Sequence, residues 1–81
     1  MNLRVQLFAH LRDAAGVSES EAYVPEGASV ADLLTVVYGH HPQLRAWDSS
    51  ILVGAGVEFV GRDYLLKEGD EIALMPPVQG G

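Results

Sequence analysis

One stretch, ASVADLLTVVYGHH from Ala28 to His41, carries helical periodicity, and strand-like alternation lies on both sides of it. Ser29 is a capping residue type. Asp32, three positions on, can answer it while placing negative charge among the free N–H groups of the first turn. Val30, Leu33, Leu34, Val37 and His41 then fall on one face, and Gly39 with Pro42 predicts the stop. A single amphipathic helix must bury its apolar stripe against another layer, and the flanking segments offer a sheet.

Those segments read as strands. LRVQLF alternates Leu3, Val5 and Leu7 against Arg4 and Gln6, a strand with one buried face. Phe8 breaks the pattern, and by parity it belongs to the opposite side of the sheet from Leu7. LRDAAG reads as a short turn closed by Gly16, and SEAYV as a weaker strand stopped by PEG. After the helix, QLRAWD reads as an irregular or helical turn that tucks Leu44 and Trp47 against the core. ILV, GAG and VEFV make two strands around a glycine turn. Phe59 and Val60 are both apolar, so the face that Phe59 takes stays open. GRDYLLKEGDE is a polar excursion anchored by Leu65 and Leu66. IALM suits a central last strand, with Ile72 and Leu74 inward and Met75 on Phe8's side. Adjacent, parallel first and last strands are expected, because the helix and strand pair between them can make the crossover. The fold class is α+β: a mixed sheet crossed by one main helix, with residues 1–75 as the domain and 76–81 as an extended C-terminal tail.

Composition narrows the chemistry. The chain has 81 residues and no cysteine, which excludes a disulfide framework, a thiolate metal site and a cysteine nucleophile within it. Hydrophobic residues make up 48%, which argues for a folded domain, and no run approaches the roughly 18 apolar residues of a membrane span. Lys+Arg is 5 against Asp+Glu 11, a net charge of -6. Nucleic acid and anionic membrane are therefore poor partners, and a protein with a basic surface is a better one. The expected location is cytoplasmic.

Side-chain catalysis finds little support. His40 and His41 sit at a helix end, where they complement the dipole. His10 stands apart from them in sequence, and no zinc-binding spacing exists. Ser49 and Ser50 lack a nucleophile-elbow context, and KEGDE lacks the spacing of a calcium loop. No metal and no stably bound cofactor is expected.

The segment MPPVQGG is the distinctive one. Pro76 and Pro77 cannot donate to a ladder and hold their neighbours extended, so they lead the chain off the sheet as a stiff arm. Val78 and Gln79 offer one apolar and one polar contact. Gly80 and Gly81 carry no side chains, so a narrow channel could enclose their backbone. Six residues extend roughly 20 Å, enough to carry the ionised carboxylate of Gly81 into a partner's active site.

With those features in place, the chain resembles the small-subunit family of molybdopterin synthase, ubiquitin-like sulfur carriers. The resemblance rests on VQLFAHLRDAAG, VADLL and above all LKEGDEIALMPPVQGG, and it covers essentially the whole chain. It implies a β-grasp fold. It also implies that a ubiquitin-activating-like enzyme uses ATP to adenylate Gly81, which then becomes a thiocarboxylate. The tail would enter the large synthase subunit, in a heterotetramer of two small and two large subunits, and give sulfur to precursor Z (cyclic pyranopterin monophosphate). The large subunit would supply the catalytic side chains. Pro76, Pro77, Val78, Gln79 and Gly80 would thread that partner, and Phe8, Phe59 and Met75 would seat the domain on it. The chain departs from the family pattern at Gly56, where asparagine is common, and at Leu65, where proline is. Leu74 and Met75 stand where aromatic residues often precede the prolines. Alternatives are a carrier for thiamine, cysteine or tRNA thiolation, and a ubiquitin-like protein modifier.

Overall fold

The computed structural model describes residues 1–77. In chain order the elements are β1 (Asn2–Leu7), α1 (Ala9–Ala15), β2 (Glu19–Tyr23), α2 (Val30–His40), a 3-10 segment (Pro42–Ser50), β3 (Leu52–Ala55), β4 (Glu58–Val60) and β5 (Glu71–Met75). The five strands form one sheet in the order β2-β1-β5-β3-β4. β1 runs parallel to β5, and every other neighbouring pair is antiparallel. This is the ubiquitin-like β-grasp, with β5 central as its apolar sequence implied.

Strand alternation sets the faces. Leu3, Val5 and Leu7 from β1, Val53 from β3, and Ile72 and Leu74 from β5 are all buried on the side that α2 covers. Val30, Leu33, Leu34 and Val37 answer them from the helix. No polar or charged side chain is buried among the described residues, so this core sets apolar burial, worth about 1.5–3 kcal/mol per large side chain, against ordering entropy without a desolvated charge.

The start of α2 follows its sequence. Asp32 N–H donates to Ser29 Oγ at 3.3 Å, and Ser29 N–H donates to Asp32 Oδ2 at 2.9 Å, a reciprocal cap. The helix runs through Gly39, so that glycine does not stop it. His41 is its half-buried C-cap, and Pro42 opens the 3-10 segment.

Three further expectations need correction. The stretch taken as a turn before Gly16 is the helix α1, and Gly16 closes it in the left-handed conformation at φ 79°, donating its N–H to Arg12 O. Leu44 joins the core as expected, but Trp47 stays 39% exposed. Of the Leu65–Leu66 anchor only Leu66 is buried; Leu65 points to solvent. Leu66 N–H donates to Ala28 O at 2.9 Å, which ties this loop to the start of α2.

Among the described residues no helix is long and apolar enough to cross a membrane.

Candidate functional site

Among the described residues, the face of the sheet away from α2 carries no covering layer of secondary structure, and apolar side chains collect on it. Parity in β5 turns Ala73 and Met75 outward, opposite to the buried Ile72 and Leu74. Register then aligns two rows across the strands. Met75 pairs with Leu52 of β3. On its other side Phe8 follows Leu7, the partner of Leu74, and Phe8 N–H donates to Leu74 O at 3.2 Å. The second row runs Gln6, Ala73, Gly54 and Phe59.

This register settles the face of Phe59. It sits opposite Gly54 on the outer side and is 68% exposed; Phe8 at 43% and Leu52 are exposed with it, while Met75 is half-buried. The middle of the second row is low because its residues are small. A Cβ on Gly54 would lie 3.3 Å from Met75 Cε and 3.8 Å from Ala73 Cβ, so the glycine leaves space into which the methionine side chain reaches. The result is a shallow cavity of ≈ 100 Å³, with Gly54 and Ala73 as floor and Phe59, Val57 and Met75 as rim. Aromatic and methionine side chains grouped on an uncovered face suit a protein interface.

Leu52 and Val57 belong to this surface and were not anticipated. Leu52 lies between the buried Ile51 and Val53, and in a run of three apolar residues only its pairing with Met75 places it outward. Val57 is fully exposed at the tip of the hairpin beside Gly56, whose φ of 63° favours glycine. A valine between two short strands carries no sequence mark of such exposure.

The tail leaves from the end of this surface formed by Phe8, Met75 and Leu52, opposite to the β3–β4 hairpin tip. β5 stops at Met75, and the half-buried Pro76 and Pro77 lie outside any strand. Val78, Gln79, Gly80 and Gly81 lie outside the described residues. The predicted seat residues Phe8, Phe59 and Met75 are therefore gathered on the surface from which Pro76 and Pro77 depart.

On the helix side, Tyr38 O–H donates to Asp48 Oδ1 at 2.6 Å and Arg62 Nη1 donates to the same oxygen at 3.0 Å. Arg62 also donates to the Asp48 and Ile51 carbonyls. Burial, then the bond to Asp48, raises the Tyr38 pKa. The hydrogen bond from Tyr38, then that from Arg62, holds the Asp48 carboxyl below its ordinary value. This cluster locks the 3-10 segment to α2 and to the loop after β4. Among the described residues no three metal-ligating side chains cluster.

A family model described as the ThiS family matches residues 5–81. A molybdopterin synthase sulfur carrier subunit from Chlamydomonas reinhardtii is 35% identical over 83 residues, spanning 100% of both chains. Among solved structures, small archaeal modifier protein 1 from Haloferax volcanii superposes with a TM-score of 0.88 at 34% identity, covering 100% of each chain. Its counterpart from Methanosarcina acetivorans gives 0.83 at 31% identity, covering 99% of this chain and 96% of that one.

Proposed function

The chain belongs to the ThiS family, and from that premise we propose that it is the sulfur carrier subunit of molybdopterin synthase. The observation that carries the reading is a match running the length of the chain to a carrier of that name, joined to an uncovered apolar face at the root of the tail. In this reading the Gly81 carboxylate, ionised at neutral pH, attacks the α-phosphorus of ATP on an adenylating enzyme. Pyrophosphate leaves and an acyl-adenylate forms. Hydrosulfide from a sulfur donor then attacks the acyl carbon, AMP leaves, and a thiocarboxylate forms with no change of oxidation state. The domain then docks on the large subunit through Phe8, Leu52, Phe59 and Met75, while Pro76, Pro77, Val78, Gln79 and Gly80 lead the sulfur to precursor Z. The large subunit holds the catalytic side chains, in a heterotetramer of two small and two large subunits in the cytoplasm. ATP is the activating enzyme's substrate, and this chain holds no cofactor of its own.

Removal of Gly81 tests the chemistry. The shortened protein should keep its circular dichroism spectrum and thermal midpoint but support no ATP–pyrophosphate exchange with the adenylating enzyme. Normal exchange would refute a role for that carboxylate.

Likeness to archaeal modifier proteins favours a second reading, in which the same activated carboxylate forms an isopeptide with lysines of target proteins. Intact-mass measurement on protein from its native cell separates the two. A carrier shows oxygen replaced by sulfur at Gly81; a modifier appears as adducts on other chains.

A further inference from the structure

The tail root has a second apolar surface beside it, away from the uncovered sheet face. α1 and the 3-10 segment meet there, and the ring centroids of His10 and Trp47 lie 4.4 Å apart with the planes tilted by 47°. Pro76 and Pro77 face this pair, and with Ser50 the four rings line a cleft of ≈ 280 Å³. Ser50 Oγ donates to the Trp47 carbonyl at 3.0 Å, closing the turn that presents the indole.

Two observations, and one general property of tryptophan, make the cleft more than a surface fold. Trp47 is the largest side chain in the molecule, yet it is 39% exposed and does not belong to the core cluster. The core therefore does not account for a tryptophan at that position. A partly exposed indole offers wide, rigid contact area at small entropic cost, and tryptophan is over-represented among residues that dominate binding energy. Finally, one wall of the cleft is the tail root itself. A protein that takes hold of the tail root at Pro76 and Pro77 therefore has the cleft beside it.

We propose that this cleft seats an apolar side chain of the large synthase subunit as that subunit takes up the tail, so that Trp47 is a partner-contact residue separate from the sheet-face patch. The proposal rests on the sulfur-carrier reading. Met75 presents the sheet-face patch and Pro76 begins the cleft wall, so the partner grips the tail root from two sides. Such a grip orients the arm as well as holding the domain. His10 supports the indole, and the prolines complete the cleft only when they are in place.

Trp47 is the sole tryptophan of the chain, so protein grown with 5-fluorotryptophan gives a single fluorine resonance from the cleft. The full-length labelled carrier is mixed with unlabelled large synthase subunit from the same cell, and complex formation is followed independently by size-exclusion chromatography. The expected result is a resonance shifted from its free position in the complex. Trp47→Ala should raise Kd about tenfold and Trp47→Phe by no more than about threefold. A complex that forms while the fluorine signal stays at its free position overturns the proposal and leaves the sulfur-carrier reading standing. No complex with the wild-type chain overturns that reading, and this proposal falls with it. The fluorine measurement needs no substitution, so a variant that folds poorly does not affect the test.

Discussion

The two faces of the sheet share their backbone and differ in what they do with apolar side chains. On the α2 side, Leu3, Val5, Leu7, Val53, Ile72 and Leu74 are sealed under the helix. On the other side, Phe8, Leu52, Phe59 and Met75 remain wholly or partly accessible. Adjacent residues of one strand, such as Leu74 and Met75, thus have opposite surroundings: the first is sealed in the core, the second stays partly accessible on the outer face. The difference teaches that stability here is one-sided. The outer face can change with little cost to the fold, and the inner face cannot.

The sharpest contrast should come from Leu74→Ala. The leucine is fully buried in the central strand, and truncation removes transfer energy and leaves a cavity. We expect a loss of about 3 kcal/mol in urea unfolding. A loss under about 1 kcal/mol would mean that the inner face is not what stabilises the domain.

Phe59→Ser is the matching change on the outer face. Stability should move by less than about 0.5 kcal/mol, while affinity for the large synthase subunit falls by about 2 kcal/mol. Calorimetric titration beside a thermal melt reads both. A large drop in melting temperature with unchanged affinity would erase the distinction between the faces.

Weaker effects test how the inner cover is held. Ser29→Ala removes the acceptor for Asp32 N–H and should lower stability by about 1 kcal/mol. A variant as stable as the parent in urea unfolding would show that the tertiary contacts of α2 make its cap redundant.

The smallest effect concerns Asp48, whose side chain is about half exposed. Its pKa is depressed in the folded state by Tyr38 and Arg62. The stabilisation is therefore complete above the unfolded value of about 3.9 and is lost as pH falls through the lower folded value. Against Asp48→Asn, the wild type should be more stable by about 0.5 kcal/mol near neutrality, given solvent screening. The gap should close in unfolding curves recorded below pH 4 or so. A gap that persists in acid would remove charge from the account of this cluster.

The sequence was most legible where periodicity and local chemistry agreed. Alternation in β1 and β5 was enough for the inward set, and Ser29 with Asp32 marked the start of α2. α1 was missed because nothing announces it: it has seven residues, one buried side chain in Leu11 and no side-chain cap at Phe8. Its entry also bends through Ala9 at φ 52°, a conformation few residues other than glycine adopt. Phe59 was ambiguous for a different reason. Two apolar neighbours give no parity, and only pairing with Gly54 decides between them. Trp47 misled because hydrophobicity predicts burial only on average, and a side chain as large as tryptophan is rarely buried completely.

The pairing of β1 with β5 has a mechanical consequence. β5 is flanked by β1 through four register pairs and by β3 through four more, and the tail continues directly from its end. A force applied to the tail therefore runs along both ladders, loading their hydrogen bonds together in shear. Peeling, which opens bonds one at a time, is the easier failure, and this topology denies it to a pull in line with the strand. An enzyme could draw the arm taut across its active site, and the domain would act as an anchor that keeps its shape under tension.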